Sequence, residues 1–243
     1  QSIYLHQNFL RDPRLVVRIV RLADFGPNDL VYEIGPGRGI ITRELVKVSD
    51  KVVAVEIDRR LAERLQQDFN GNPRVKVIKA DWLNYRVPEK EYKIFSNIPF
   101  NLTAQVVRKI VDSPRPPRES FLMVQKEAAA KFTGIPRSTQ FSVSYQPWFE
   151  FKVIWHFRSG DFFPAPKVAV VLLSIAKRDR PLVEDKQKYF YFVQNGFNRI
   201  KSLFTYHQWR RLARDLNFSL PVQPTKLSFD QWLGIFKFYQ VIK

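Results

Sequence analysis

A short apolar run, Leu30-Val31-Tyr32-Glu33-Ile34, leads without a break into Gly35-Pro36-Gly37-Arg38-Gly39. Ile40–Val48 then follows with apolar residues at helical spacing. A buried strand, a glycine turn and a helix in that order open a βαβ series, because glycine enters a tight turn at little steric cost. The alternation continues to about residue 175. Val52–Ile57, Val75–Ile78, Lys93–Ser96 and Ser120–Val124 read as strands, and Leu15–Ala23, Arg59–Phe69 and Thr103–Val111 as helices. Gly26-Pro27-Asn28-Asp29 and Asn70-Gly71-Asn72-Pro73 read as turns. The pattern predicts an α/β fold, a mostly parallel Rossmann-like sheet with helices on both faces.

Towards the end of this series the rhythm changes. Phe149–Phe157 and Val168–Ala176 are β-rich with no long helix between them, which predicts a closing hairpin with one strand antiparallel to the rest. Lys177-Arg178-Asp179-Arg180-Pro181 is a charged boundary, dividing the chain into residues 1–177 and 178–243. Beyond it Tyr189–Phe197, Thr205–Leu216 and Phe229–Val241 read as helices, and residues 178–243 carry twelve Lys and Arg against five Asp and Glu. A small basic helical domain is expected there.

Charge and composition narrow the function. The 243 residues are 45% hydrophobic, enough for one sizeable core and a small appendage. Lys and Arg number 40 against 23 Asp and Glu, a net charge of +17 that favours a polyanionic partner. The plainer reading is a merely soluble basic surface. With no cysteine, disulfides, thiolate metal sites and Cys nucleophiles are excluded. His6, His156 and His207 are widely spaced, so no metal centre is expected. No apolar run reaches the length of a membrane span and no secretory segment opens the chain, which fits a cytoplasmic protein. Monomer is the default expectation.

Gly35, Gly37 and Gly39 lie between strand and helix, where backbone can approach a ligand and the helix N-terminus adds partial positive charge. A dinucleotide fingerprint would need Gly or Ala at position 40, where Ile40 stands, so the spacing suits a ligand without pyrophosphate. At the tip of the next strand, in Val55-Glu56-Ile57-Asp58, Glu56 is placed to accept from ribose hydroxyls. In Ala80-Asp81-Trp82, Asp81 is placed to accept from an adenine amino group, with Ile57 and Trp82 flanking the ring. Taken singly these are a turn, a solvated strand end and an N-cap. Three consecutive strand tips with suitable groups point to a nucleoside-type cofactor.

The fourth strand ends at Asn97-Ile98-Pro99-Phe100. Alone it would be an Asn-x-Pro turn. Beside a nucleoside site it can hold the exocyclic amine of a base. The Asn97 side-chain oxygen and the Ile98 carbonyl are acceptors, Pro99 fixes the backbone without a competing N–H, and Phe100 offers a stacking face. The Asn97 amide donor is available to a cofactor. Phe162-Phe163-Pro164-Ala165-Pro166-Lys167-Val168 is a second aromatic loop, one of whose phenylalanines is expected to pack in the core. Glu127 and Glu150 are isolated carboxylates, and no nucleophile elbow or Walker lysine occurs.

These segments, with Gln7-Asn8-Phe9-Leu10, Val107-Arg108-Lys109-Ile110-Val111, Asp185-Lys186-Gln187-Lys188-Tyr189 and Leu227-Ser228-Phe229-Asp230-Gln231, resemble the Erm-type rRNA adenine N6-methyltransferases over essentially the whole chain. The resemblance implies a class I S-adenosylmethionine-dependent methyltransferase sheet and a C-terminal helical domain associated with RNA. It implies S-adenosylmethionine as cofactor, contacted by Asn8, Leu10, Gly35, Gly37, Gly39, Glu56, Ile57, Asp81 and Asn97. Asn97, Ile98, Pro99 and Phe100 would form the catalytic segment. Phe100 stands where the family more often has tyrosine, so stacking survives and a phenolic hydrogen bond does not. Phe162, Arg108 and Arg137 would meet RNA. The implied substrate is one adenine of the 23S rRNA peptidyl-transferase loop, mono- or dimethylated, with resistance to macrolides, lincosamides and streptogramin B. The alternatives are a 16S rRNA dimethyladenosine transferase, whose motif usually reads Asn-Leu-Pro-Tyr, and a non-catalytic RNA-binding or transcription-factor relative.

Overall fold

The computed structural model describes residues 8–87 and 89–242. Gln7 of the N-terminal motif and His6 therefore lie outside the described residues. In chain order the elements are β1 (Phe9–Leu10), α1 (Pro13–Arg21), β2 (Leu30–Ile34), α2 (Ile40–Val48), β3 (Lys51–Glu56), α3 (Arg59–Asp68) and β4 (Val75–Lys79). They continue with β5 (Lys93–Asn97), α4 (Thr103–Val111), β6 (Glu119–Gln125), α5 (Lys126–Thr133), α6 (Gln140–Tyr145) and β7 (Phe149–His156). The last are β8 (Phe162–Phe163), β9 (Val170–Lys177), α7 (Lys186–Arg199), α8 (Tyr206–Asp215) and α9 (Phe229–Ile242).

Among the described residues, seven strands form one sheet in the order β4-β3-β2-β5-β6-β9-β7. Neighbours from β4 to β6 pair in parallel, and β9 runs antiparallel to β6 in the register Glu119↔Ala176 to Gln125↔Val170. The antiparallel closure follows the expectation from the missing crossover helix. The chain leaves β2 outward through β3 and β4, then returns to β5 on the other side of β2. That reversal opens a crevice beyond the carboxyl ends of β2 and β5, the usual ligand position in open α/β sheets. The Ser96 hydroxyl donates to the Ile34 carbonyl and ties the two strand ends together.

The residues cluster into two compact units, one formed by residues up to Ala129 with Lys152–Lys177, the other by Ala130–Phe151 with Arg178–Lys243. The chain passes from the first unit to the second at 177/178, and the segment Ala130–Phe151 groups with the C-terminal helices. The reason is packing: Val143 of α6 shares a core with Tyr189, Phe192, Val193, Trp232 and Phe236, and the Tyr189 hydroxyl donates to the Val143 carbonyl at 3.1 Å.

In the first unit, strand alternation divides the sheet residues between two faces. Val31, Val52, Phe95, Phe121 and Leu172 join Leu15, Val16, Ile19 and Val20 of α1 and Ile41 and Leu45 of α2 in one buried cluster. Each such side chain contributes roughly 1.5–3 kcal/mol on burial. Tyr32, one residue on from Val31, meets Trp82, Tyr85 and Tyr92 instead. Helix α1 begins where Asp12 caps it, its carboxylate accepting from the Arg14 N–H at 2.8 Å, with Pro13 in the first turn. No helix among the described residues is long and apolar enough to cross a membrane.

Candidate active site

A cavity of about 510 Å³ opens at the carboxyl ends of β2 and β5. Asn8, Leu10, Gly35, Asn97, Ile98, Pro99 and Phe100 line it, so the glycine segment, the N-terminal segment and the Asn-Ile-Pro-Phe segment meet in one place. Phe9, Arg11, Glu33, Arg38 and Phe163 line it too.

The Asn97 side chain leaves the end of β5 and its Nδ2 donates to the Asn8 carbonyl at 2.6 Å. One of the two amide protons of Asn97 is thus given to the N-terminal segment. Its Oδ1 becomes the acceptor that the side chain offers. Ile98 is buried, Pro99 holds φ −57° and ψ 129°, and Phe100 starts a 3-10 turn leading into α4. The Phe100 ring is partly buried against the core and also lines the cavity.

β1 and β8 form a two-stranded antiparallel pair with Phe9 opposite Phe163 and Leu10 opposite Phe162. Alternation then settles the two phenylalanines. Phe162 is 1% exposed and packs edge to face on Phe157, whereas Phe163 is 64% exposed and lines the cavity. The expectation that Phe162 meets RNA is corrected: in this structure it is a core residue and Phe163 faces the cavity. The Arg11 guanidinium lies 5.7 Å from the Phe163 ring centroid, and that of Arg38 lies 5.5 Å from the centroid of Phe9. Two aromatic rings, each carrying a cation, therefore stand at this cavity.

Gly35, Gly37 and Gly39 all have positive φ, at 64°, 57° and 72°. Gly37 also lies under Phe9, whose ring would come within 2.9 Å of an added Cβ. Gly37 and Gly39 do not line the cavity and shape the turn; Gly35 lines it. Glu56 anchors the turn from β3. Its Oε2 accepts from the Gly37 N–H at 3.1 Å and its Oε1 from the Asp58 N–H at 3.0 Å. Burial raises its pKa despite those hydrogen bonds. Ile57 is 47% exposed at the same tip.

Asp81 follows β4, with Oδ1 accepting from the Leu83 N–H at 2.9 Å and Oδ2 from the Asn84 amide at 2.7 Å. Glu56, Ile57 and Asp81 do not line the cavity; they occupy the next two strand tips. Those tips are linked by backbone bonds, Gly35 N–H to the Val55 carbonyl and Ala80 N–H to the Glu56 carbonyl, both at 2.9 Å. Trp82, expected beside a ligand ring, is buried and stacked on Tyr85. Arg108 on α4 and Arg137 after α5 are exposed, one in each unit, and neither lines the cavity.

Glu33 is the residue that motif reading named without giving it work. It is buried within β2, reaches the cavity, and accepts from the Thr42 hydroxyl at 2.6 Å. Desolvation raises its pKa to about 8, reinforced by the nearby Glu56. The signal in the sequence was a lone carboxylate inside an otherwise apolar strand.

Comparison with known proteins places this geometry. The model of the family described as "Ribosomal RNA adenine dimethylase" matches residues 2–240. An rRNA adenine N-6-methyltransferase of Aeromicrobium erythreum is 34% identical, over 96% of this chain and 72% of its own length. The ribosomal RNA small subunit methyltransferase A of Acaryochloris marina is 31% identical, over 94% of this chain and 93% of its own. The crystal structure of the 23S rRNA methyltransferase ErmE superposes with a TM-score of 0.89 at 27% identity, over 96% of this chain and all of that one. The chain belongs to the ribosomal RNA adenine dimethylase family.

Proposed function

We propose that the chain methylates N6 of one adenine in the peptidyl-transferase loop of 23S rRNA, using S-adenosylmethionine, and so confers macrolide-lincosamide-streptogramin B resistance. The observation that carries this reading is the single cavity lined by both Gly35 and the Asn97–Phe100 segment. Gly35 supports the cofactor there: its φ is positive and an added Cβ would meet no protein atom within 4 Å, only the open space of the cavity side. Asn8, Leu10 and Gly35 would hold the methionine end. Glu56, Ile57 and Asp81 would hold the nucleoside across the neighbouring strand tips, which lie roughly 4.8 Å apart in a sheet. Gly37 and Gly39 act through the turn. S-adenosylmethionine supplies an electrophilic methyl group when bound.

The chain's own residues do the rest. The adenine amine is a poor nucleophile, since its lone pair is delocalised into the ring. The Asn97 Oδ1 and the Ile98 carbonyl accept its N–H groups and orient the lone pair, while Pro99 keeps that backbone fixed. Phe100 stacks on the base, and Phe163, with Arg11 against it, closes the opposite side of the cavity. An amine in a duplex is paired, so the target must be unpaired or extruded. The unit containing the sheet is the catalytic one and the helical unit an RNA-binding accessory.

The relative from Acaryochloris marina keeps a small-subunit reading in play. Methyl transfer from labelled cofactor to purified 23S and 16S rRNA, mapped by primer extension, decides between them. One modified adenine in the 23S peptidyl-transferase loop is expected. Paired adenines near the 16S 3′ end would replace this reading with the small-subunit one, and no transfer to either would leave a non-catalytic RNA binder. Expression in a macrolide-sensitive host should raise the tolerated macrolide concentration.

A further inference from the structure

Lys109 projects from α4 onto the loop that follows β4. Its Nζ donates to three backbone carbonyls of that loop, those of Trp82, of Leu83 at 3.0 Å and of Tyr85 at 2.6 Å. An ammonium has three protons, so one stretch of four residues takes its whole donor capacity. The same nitrogen stands 5.1 Å from the Trp82 ring centroid. Burial lowers the Lys109 pKa, and the nearby Asp81 carboxylate opposes that shift. Asp81 begins the loop, and its carboxylate is oriented by the Leu83 N–H and the Asn84 side-chain amide. Lys109 thus holds the carbonyl of Leu83, whose N–H orients Asp81, and the carbonyls of Trp82 and Tyr85, which bracket the two residues that aim Asp81.

We propose that Lys109 is a positioning residue for the cofactor: by caging the Trp82, Leu83 and Tyr85 carbonyls it fixes the loop, and with it the Asp81 carboxylate, where that carboxylate accepts from the 6-amino group of the cofactor's adenine. The proposal rests on the reading of Asp81 given above. It assigns Lys109 a share in adenine selectivity without contact to the ligand. A staple that only adds stability would leave selectivity alone.

The test compares calorimetric affinities for S-adenosylhomocysteine and its 6-oxo inosyl analogue, beside thermal stability. No RNA is needed, so failure of the rRNA assignment would not affect the result. The native chain should prefer the 6-amino ligand, and Asp81→Ala should abolish most of that preference. Lys109→Met keeps the stem over Trp82 and removes the ammonium. It should shrink the preference on the order of ten-fold, the scale of one charge-assisted hydrogen bond. Adding Asp81→Ala to Lys109→Met should give little further loss, because the two act in series. A lowered Tm with an unchanged 6-amino to 6-oxo ratio would overturn the proposal. If Lys109→Met does not fold, Lys109→Arg, whose planar donors cannot converge on the three carbonyls, must show the reduced ratio; an unchanged ratio there overturns it equally. An unchanged ratio in Asp81→Ala refutes the Asp81 reading and this proposal with it.

Discussion

Two residues at this cavity, Glu33 and Phe100, make separable predictions. With its pKa raised from 4.5 to about 8, Glu33 is protonated in the folded chain over a range where it is ionised when unfolded. The folded state then binds more protons, so stability falls as pH rises from about 4.5 to about 8. Glu33→Gln keeps an acceptor for Thr42 and removes the titration. Its melting temperature should vary less between pH 5 and about 8 than that of the native chain, and an equal slope in both would refute the assignment. In the proposed reading Phe100 acts on the base and not on the cofactor. Phe100→Ala should therefore slow transfer roughly ten- to hundred-fold, the scale of one base–aromatic stack of about 1–3 kcal/mol, with S-adenosylmethionine affinity within about two-fold of native. Phe100→Tyr should retain transfer. Single-turnover rates beside calorimetry separate the two effects.

At the scale of elements, the helical unit offers a case where two rules oppose. Gly196 lies inside α7, where alanine normally improves an exposed helix by about 1 kcal/mol. Here a Cβ would stand 2.7 Å from the Trp232 ring of α9, which is itself stacked on Phe197 at 4.8 Å. Overpacking at a buried ring costs about 1–3 kcal/mol, so Gly196→Ala should destabilise, read as a lower urea midpoint at unchanged m-value. That close approach was invisible in the sequence, as was the membership of α6. Gln140–Tyr145 alternates polar and apolar residues and has no helical stripe. It is helical because Thr139 and Ser142 cap it reciprocally, each side chain accepting from the other's N–H at 3.0 Å. The sheet strands, by contrast, were legible because burial on both faces leaves continuous apolar runs between glycine and proline turns. The site was legible where chemistry sits on strand tips, at Gly35 and Asn97. It was not legible where a two-residue strand decides which phenylalanine faces inward, nor where Trp82 turns into the Tyr32 and Tyr85 cluster.

For the molecule as a whole, the formal charge of +17 must be tied to particular side chains before it says anything about RNA. Net charge alone raises encounter rates with any polyanion and would yield a salt dependence even without a defined binding surface. Defined contacts behave differently: each neutralised phosphate on a single strand contributes about 0.7 to the slope of log K against log salt, and its loss removes that increment. Arg108 and Arg137 are both exposed and belong to different compact units, so they test the units separately. If both units hold the rRNA, Arg108→Ala and Arg137→Ala should each weaken binding and each lower the slope by about 0.7. The double variant should lower it by about twice that if the two contacts are independent. A slope changed by Arg108→Ala and untouched by Arg137→Ala would confine RNA to the unit containing the sheet and make the helical unit a brace for it. Slopes unchanged in both variants would mean that the charge acts only as a diffuse field, with recognition carried by the cavity.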